Sequence, residues 1–361
     1  MNLSSNKQNT SKPAGQTVPL SEAVGLVLAH DITEIVPGKK KGPAFCKGHV
    51  VTEQDLPHLS RLGKQHLYVL DIGPDQMHEN DAAELLARAL CGPGVQTAGP
   101  PKEGKIELLA AIDGLFYVDV DRLTDFNLVP DVMCATIHRH SPVKSGQHLA
   151  GTRAIPLVIG RSHVDQACAI AGSNGGLLVV KPFRRLKVGM VVTGSEVASG
   201  LIDDKFGPIV SKKISTFKST MIGVNIVTDD RLAIANNIKG FLDQGAEMII
   251  VTGGMSVDPD DITRHAISDA GGRDLVYGAP VLPGAMLLLG VLDGPTGTVP
   301  ILGVPACAMY YRTTVLDLIL ARILAGEQMN RQDIAALAHG GFCWSCEDGC
   351  HFPACGFGRG A

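Results

Sequence analysis

The chain has 361 residues, too many for one ordinary domain and enough for two or three with sizeable cores. Hydrophobic residues make up 45% but aromatics only 4%, so those cores are aliphatic, and 42 glycines point to many tight turns or to close backbone approaches to a ligand. A formal net charge of -4 supplies no long-range field that would gather nucleic acid onto the whole molecule.

Residues 1–16 are polar and rich in Asn, Ser and Lys, without the apolar stretch of a signal peptide. No later stretch reaches about eighteen uninterrupted apolar residues. These features predict a disordered tail over 1–16 on a soluble, cytoplasmic protein with no membrane partner.

An N-terminal α+β segment follows over 17–78. Residues 18–35 read as a strand and a short helix capped at Ser21. Residues 37–43 read as a Gly/Pro/Lys loop, in which Lys39-Lys40-Lys41 is a solvated run. Residues 48–52 read as a strand, 53–62 as a short helix ending at Gly63, and 66–70 as a strand. The next segment, 79–181, is mixed. Its helix pattern over 79–90 is closed by Gly92-Pro93. A small β-rich module follows, with runs at 105–111, 114–120, 133–136 and 154–159 separated by turns such as Asp113-Gly114 and Ser145-Gly146.

After Lys181-Pro182 the period changes. Residues 187–193 are an apolar run ending at Gly194, as in a buried strand. A helix is expected over 210–222, a strand over 224–228, a helix over 231–244, and a strand over 247–252 that runs into Gly253-Gly254. A helix over 260–269, strands over 286–292 and 299–302, and one long helix over 305–325 complete the segment. Strands alternating with helices make βαβ units, so 182–330 is predicted to be an α/β domain with three layers and a parallel or mixed sheet.

In open α/β sheets ligands bind beyond the carboxyl ends of the strands. Here those ends are Thr193-Gly194-Ser195-Glu196, Asp229-Asp230, and the loop from Gly253-Gly254 through Ser256 to Asp258, Asp260 and Asp261. A Gly-Gly turn before a helix aims backbone N–H groups at an anion such as phosphate. Carboxylates in the same loop repel phosphate unless a divalent cation bridges them, and Mg²⁺ is the hard ion that oxygen ligands suit. The plainer account of Asp260 or Asp261 is a helix cap, which ranks ahead of metal binding on residue type alone. Neither a Walker A loop nor GxGxxG is present.

Together these residues resemble the MoeA and gephyrin E-domain family of molybdenum-cofactor biosynthesis. Thr252-Gly253-Gly254-Met255-Ser256-Val257 with Asp261 is similar to its SGGxSxGxxD signature, and Thr193-Gly194-Ser195-Glu196-Val197 to its TGDEL. Asp229-Asp230 stands at its Asp-Asp pair, Leu282-Pro283-Gly284 resembles PGKP, and Gly303-Val304-Pro305-Ala306 resembles GLPGNP. The resemblance covers about 140 residues strongly and extends faintly to residues 23–32. It implies binding of molybdopterin or adenylated molybdopterin and Mg²⁺-dependent molybdate insertion with release of AMP. It further implies a homodimer, with pterin and molybdate as small-molecule partners. Glu196, Asp230 and Asp261 would be catalytic. Glu196, Asp229, Asp230 and Asp261 would hold Mg²⁺. Thr193, Gly194, Gly253, Gly254, Ser256, Pro283 and Gly284 would contact the pterin. This chain departs from the pattern where Ala285 replaces a lysine, where Ala308 replaces an asparagine, and where Val210-Ser211-Lys212 replaces DSN. Those departures favour a second reading, a non-catalytic pterin carrier or sensor serving a molybdoenzyme.

Four of the nine cysteines crowd into the last nineteen residues, within a tail over 331–361. Cys343, Cys346, Cys350 and Cys355, with His351 beside them, can wrap one Zn²⁺ ion or an Fe–S cluster, and the alternative is a reduced, mobile tail. A metal-dependent interaction module built on that tail is the third reading. His138 and His140 alternate without a carboxylate or cysteine companion and read as turn or surface residues. Cys307 reads as a small buried residue. No nucleophilic triad is evident.

Overall fold

The structure is a computed structural model, and it describes residues 15–36, 40–70, 72–255, 262–295 and 297–359. The expected disordered tail lies outside the described residues except for its last two positions, and Ser256, Asp258, Asp260 and Asp261 lie outside them altogether. Contacts divide the chain into two compact units. One comprises Met1–Ala111, Val118–Ile137 and Gly146–Val179, the other Ile112–Tyr117, His138–Ser145 and Val180–Ala361.

In the first unit, Gly15–Pro19 and Val27–Leu28 pair antiparallel with His66–Leu70. Val18, Leu28, Ile32, Phe45, Leu59, Leu67 and Val69 form a core beneath them. The short helix expected after Ser21 is a 3₁₀ turn, Leu20–Glu22, because Gly25 at φ +84° reverses the chain and delivers Val27–Leu28 to the sheet. Residues 48–52 are not a strand and make a single bridge, Val27 to Val50. The expected loop is partly strand: Lys40–Phe45 pairs with Ile32–Val36. The helix Glu79–Leu90 lies where its pattern put it. Beyond it is a four-stranded antiparallel sheet of Val95–Thr97, Lys105–Ala110, Val132–Thr136 and His148–Ala154. Two helices, Val120–Leu128 and Arg161–Gly172, had no counterpart in the sequence reading.

The second unit is built on a six-stranded mixed sheet. Its strands are β1 (Lys187–Thr193), β2 (Thr220–Val227), β3 (Met248–Thr252), β4 (Arg273–Tyr277), β5 (Leu288–Gly294) and β6 (Gly297–Val304). The spatial order is β2-β1-β3-β6-β5-β4. β2, β1, β3 and β6 run parallel, while β5 and β4 are antiparallel to their neighbours. The helices are α1 (Phe206–Thr216), α2 (Arg231–Asp243), α3 (Thr263–Asp269) and α4 (Val315–Leu324).

Alternation along the strands makes three layers. Met248 and Ile250 of β3 join a core with Val210 and Ile214 of α1 and Leu316, Ile319 and Ile323 of α4. Ile249 and Val251 point the other way, to Ile234, Ile238 and Phe241 of α2 and Ala266 and Ile267 of α3. Phe241 packs against two glycines: a Cβ on Gly189 of β1 would lie 2.5 Å from its ring and one on Gly223 of β2 2.8 Å. The parallel-sheet, three-layer expectation for this part of the chain is met.

Two boundaries differ. The helix expected over 210–222 is α1, which starts earlier because the Asp204 carboxylate accepts from the Phe206 and Gly207 N–H groups. It ends at Thr216, and Lys218, at φ +60°, turns the chain into β2. The long helix expected over 305–325 is broken into a 3₁₀ turn, Ala306–Met309, and α4. Among the described residues, no helix is long and apolar enough to cross a membrane.

Candidate functional site

Three loops at one end of the sheet enclose a cavity of about 640 Å³. Gly253, Gly254 and Met255 leave the carboxyl end of β3, Pro305, Ala306 and Cys307 leave that of β6, and Leu282 through Met286 lead into β5. The place and the volume are those of a small-molecule site on an open α/β sheet.

The glycines are required by space. Gly253 has φ +86°, and a Cβ there would sit 2.2 Å from the Thr193 carbonyl oxygen. Gly254 has φ +53°, and its Cβ would meet Thr263 Oγ1 at 2.5 Å. The Thr193 and Thr263 hydroxyls are 3.3 Å apart and buried, tying the end of β1 to the start of α3 beneath the loop. Gly284 packs its backbone on α4, where a Cβ would be 2.4 Å from Val315 Cγ1, and the Val315 N–H donates to the Pro283 carbonyl at 3.1 Å.

Tyr277, at the end of β4, holds two walls in register. Its hydroxyl donates to the Met255 carbonyl at 2.8 Å and lies 3.2 Å from the Met286 sulfur. Arg264 lies over the Tyr277 ring, 4.3 Å from its centre. Cys307 lines the cavity half-buried, and burial pushes its thiol pKa up, which agrees with the reading of a small packed residue.

Of the residues singled out from sequence, Gly253, Gly254, Pro283 and Gly284 line this cavity, and so does Cys343 of the tail. Thr193 lies directly beneath it, with Gly194 following at the end of β1. The acids are placed differently. Asp229 accepts from the Ser195 N–H at 2.8 Å and the Ser195 hydroxyl at 3.0 Å. Asp230 caps α2 by accepting from the Ala233 N–H at 2.7 Å. Glu196 is exposed on the four-residue helical turn Ser195–Ala198. The ligand atoms of Glu196, Asp229 and Asp230 do not group as a metal site among the described residues, and Asp261 is not one of those residues.

Sequence reasoning missed the walls supplied by Met255, Met286, Tyr311, Phe342 and Ser345. Phe342 and Ser345 come from the tail. Leu282 bridges to Phe342, with the Leu282 N–H donating to Gly341 at 2.8 Å and the Cys343 N–H donating back to Leu282 at 2.9 Å. No local pattern signals that addition. A second cavity, of about 550 Å³, shares Tyr311 with the first and is lined by Lys212, Lys213 and Arg312. Lys213 is paired with Asp317 and donates to the Arg312 carbonyl at 2.8 Å.

The same stretch of chain is what known proteins share. Residues 189–325 match a family model described as a probable molybdopterin binding domain. The match lies within the α/β portion and is to a molybdopterin-binding domain in general; it does not single out the MoeA and gephyrin branch. Residues 17–71 match a domain of unknown function, DUF8806.

Similar curated proteins include a CinA-like protein of Mycobacterium avium, 30% identical over 95 residues, covering 26% of this chain and 22% of the relative. A CinA-like protein of Thermosipho melanesiensis is 31% identical over 88 residues, covering 24% and 22%. The chain thus spans about a fifth of the length of the curated relatives it matches. Among solved structures, the tungsten cofactor synthesizing protein MoaB from Pyrococcus furiosus aligns at TM-score 0.31 and 17% identity, over 39% of this chain and 95% of that one. CinA from Thermoplasma acidophilum aligns at TM-score 0.33 and 10% identity, over 38% and 98%.

Proposed function

We propose that the glycine-loop cavity binds molybdopterin, free or adenylated, and that the protein acts in molybdenum-cofactor biosynthesis or delivery. The observation that carries this reading is a coincidence of position. The stretch matching a molybdopterin-binding family contributes all three strand-end loops of a cavity large enough for a pterin. A pterin is a flat, polar, fused ring. Backbone groups at Gly253, Gly254 and Gly284 line the space it would fill, and Met255, Met286 and Phe342 give it apolar faces. Its phosphate needs positive charge, and Ala285 offers none where the related pattern has lysine. Lys212 and Arg312, across Tyr311 in the adjoining cavity, are the cations placed to serve it.

Two readings of the activity differ in what the acids do. In the transferase reading, Glu196, Asp229, Asp230 and Asp261 hold Mg²⁺ and Glu196, Asp230 and Asp261 orient the phosphoryl group during molybdate insertion. The carrier or sensor reading needs only the cavity. The second is favoured by one specific observation: the Asp229 and Asp230 carboxylates are engaged with the Ser195 and Ala233 N–H groups. A homodimer, molybdate as co-substrate and a molybdoenzyme as recipient belong to the same proposal.

The test mixes the full chain with molybdopterin released from a molybdoenzyme and measures retained pterin by its fluorescence after oxidation. Ala306→Trp fills the cavity from an exposed position and should abolish retention. Lys212→Gln with Arg312→Gln should weaken binding about tenfold for the phosphate-bearing pterin and leave its dephosphorylated form unaffected. Failure of the unmodified chain to retain pterin at micromolar concentrations sinks the reading. AMP release from adenylated molybdopterin with molybdate and Mg²⁺, lost in Asp261→Ala, would decide for the transferase.

A further inference from the structure

The tail is folded back onto the second unit. Phe357 is buried in the α4 side of the core, with Cys343, Phe352 and Cys355 packed against the same cluster. The Gly358 N–H donates to the Gly340 carbonyl at 2.9 Å, and the Arg359 guanidinium donates to the Arg139 carbonyl at 2.9 Å and to the Pro353 carbonyl at 3.3 Å. A loose, reduced tail would need none of these ties.

Within this folded tail, Cys343, Cys346, Cys350 and Cys355 all line one cavity of about 600 Å³, together with His351, Trp344 and Thr313. All four are free thiols. Cys350 Sγ is 3.1 Å from Thr313 Oγ1, so its sulfur already faces a hydrogen-bond partner of the kind that stabilises a thiolate. Four thiols lining one cavity, in a segment anchored near both ends, make a candidate ligand set.

Spacing decides what it suits. A single tetrahedral Zn²⁺ with Zn–S of about 2.3 Å draws its four sulfurs to within about 3.8 Å of one another. Among the described residues, the ligand atoms that lie within 4.8 Å of one another are those of Cys346, Asp348 and His351, and no three of the four sulfurs do so. The four sulfurs are thus not drawn together as one tetrahedral ion would hold them. An iron–sulfur cluster places several metal atoms between its thiolates and so accepts a wider spacing.

We propose that Cys343, Cys346, Cys350 and Cys355 ligate one iron–sulfur cluster, set in the wall that the tail shares with the glycine-loop cavity. Each thiol binds as thiolate and gives up its proton; a [4Fe–4S] cluster assembled from equal amounts of ferrous and ferric iron with sulfide reaches its own oxidation level, so no further oxidant is needed. Phe342, Cys343, Ser345 and Tyr311 line both cavities, which puts ligand Cys343 beside the pterin site. The proposal does not depend on what that neighbouring cavity binds.

The experiment purifies the full chain without oxygen, reconstitutes it with equal amounts of ferrous and ferric iron and with sulfide, and measures iron, acid-labile sulfide and the visible charge-transfer absorption. Trp344, the sole tryptophan and 89% exposed on the same wall, reports assembly by quenching. Cys346→Ser and Cys355→Ser should each lose the absorption and most of the iron and sulfide. His351→Ala, Asp348→Ala and Cys91→Ser, the last in the other unit, should retain them, which separates ligation from folding. The proposal is overturned by a chain that takes up no iron and sulfide. It is equally overturned by a chain holding a single zinc ion, whether through the four cysteines or through Cys346, Asp348 and His351. Pterin retention, read separately, is unaffected by either failure.

Discussion

At Gly253 a methyl group has two penalties that can be separated by experiment. The φ of +86° costs a side-chain-bearing residue about 1–2 kcal/mol, and the 2.2 Å approach to the Thr193 carbonyl adds an overpacking cost of about 1–3 kcal/mol. Gly271 has a similar φ of +97° but open space around it, so alanine there meets the first penalty alone. Urea unfolding should therefore show Gly271→Ala losing about 1–2 kcal/mol and Gly253→Ala clearly more. Equal losses would mean that the loop simply moves away, and that close packing of β1 against the β3 loop is not what shapes the cavity. Gly253 and Gly254 were legible as a Gly-Gly turn at a strand end, and Pro283 and Gly284 through their resemblance to a known motif. Phe342 and Ser345 were not, because they reach the cavity only through the fold of the tail, and Tyr311 was not, because the break between the 3₁₀ turn and α4 brings it there. Asp229 and Asp230 were legible as strand-end acids, yet their hydrogen bonds to Ser195 and Ala233 depend on where the neighbouring elements begin.

Elements were read well where burial is continuous and poorly where it is sparse. β1 was placed to the residue, since six of its seven positions are buried. β2 is an edge strand with Val224 37% and Ile226 45% exposed, and its first residues were read into a helix. The helix Val120–Leu128 buries only Phe126, and Arg161–Gly172 buries Val164, Ala167 and Ala171, too small a stripe to stand out. α4 shows a third case. Its apolar run joined Pro305 to Ala325 in the sequence reading, but the helix begins afresh at Thr314. There the Thr314 hydroxyl accepts from the Leu316 N–H at 3.3 Å, and the Asp317 carboxylate accepts from the Thr314 N–H at 2.8 Å while pairing with Lys213. Thr314→Ala should cost about 1 kcal/mol, and Thr314→Ser should recover most of it. A loss in Thr314→Ala that serine fails to recover would assign the effect to packing of the threonine methyl instead of to the cap.

Over the whole second unit, chain segments far apart in sequence meet around His140, and this sets the response to acid. His140 sits in a turn at φ +57°, its side chain 20% exposed, with its ring edge-on to Tyr117 at 5.3 Å between centres. Burial first, then the positive charge of Arg322, Arg139 and Arg359, pushes its pKa down to about 4, against an opposing pull from Glu327 at 3.9 Å. Glu327 is itself half-buried, which raises its pKa, but the nearby Tyr117 hydroxyl and the Arg322 guanidinium that donates to it leave it lowered overall. The folded state thus holds His140 neutral, whereas the unfolded chain protonates at its ordinary value of about 6.5. Between those values the unfolded state binds more protons, so stability is complete above pH 6.5 and falls as pH drops toward 4. By pH 5 the linkage amounts to about 2 kcal/mol. Glu327 acts in the same direction at more acidic pH, as it is forced to protonate below its ordinary range. The measurement is the urea midpoint from pH 7.5 to 5.0 for the unmodified chain and for His140→Asn, asparagine being a residue that tolerates the positive φ. The variant should lose most of this pH slope. An unchanged slope would show that other groups carry the acid sensitivity and that His140 is not held neutral by the Arg322 and Arg359 charges around it.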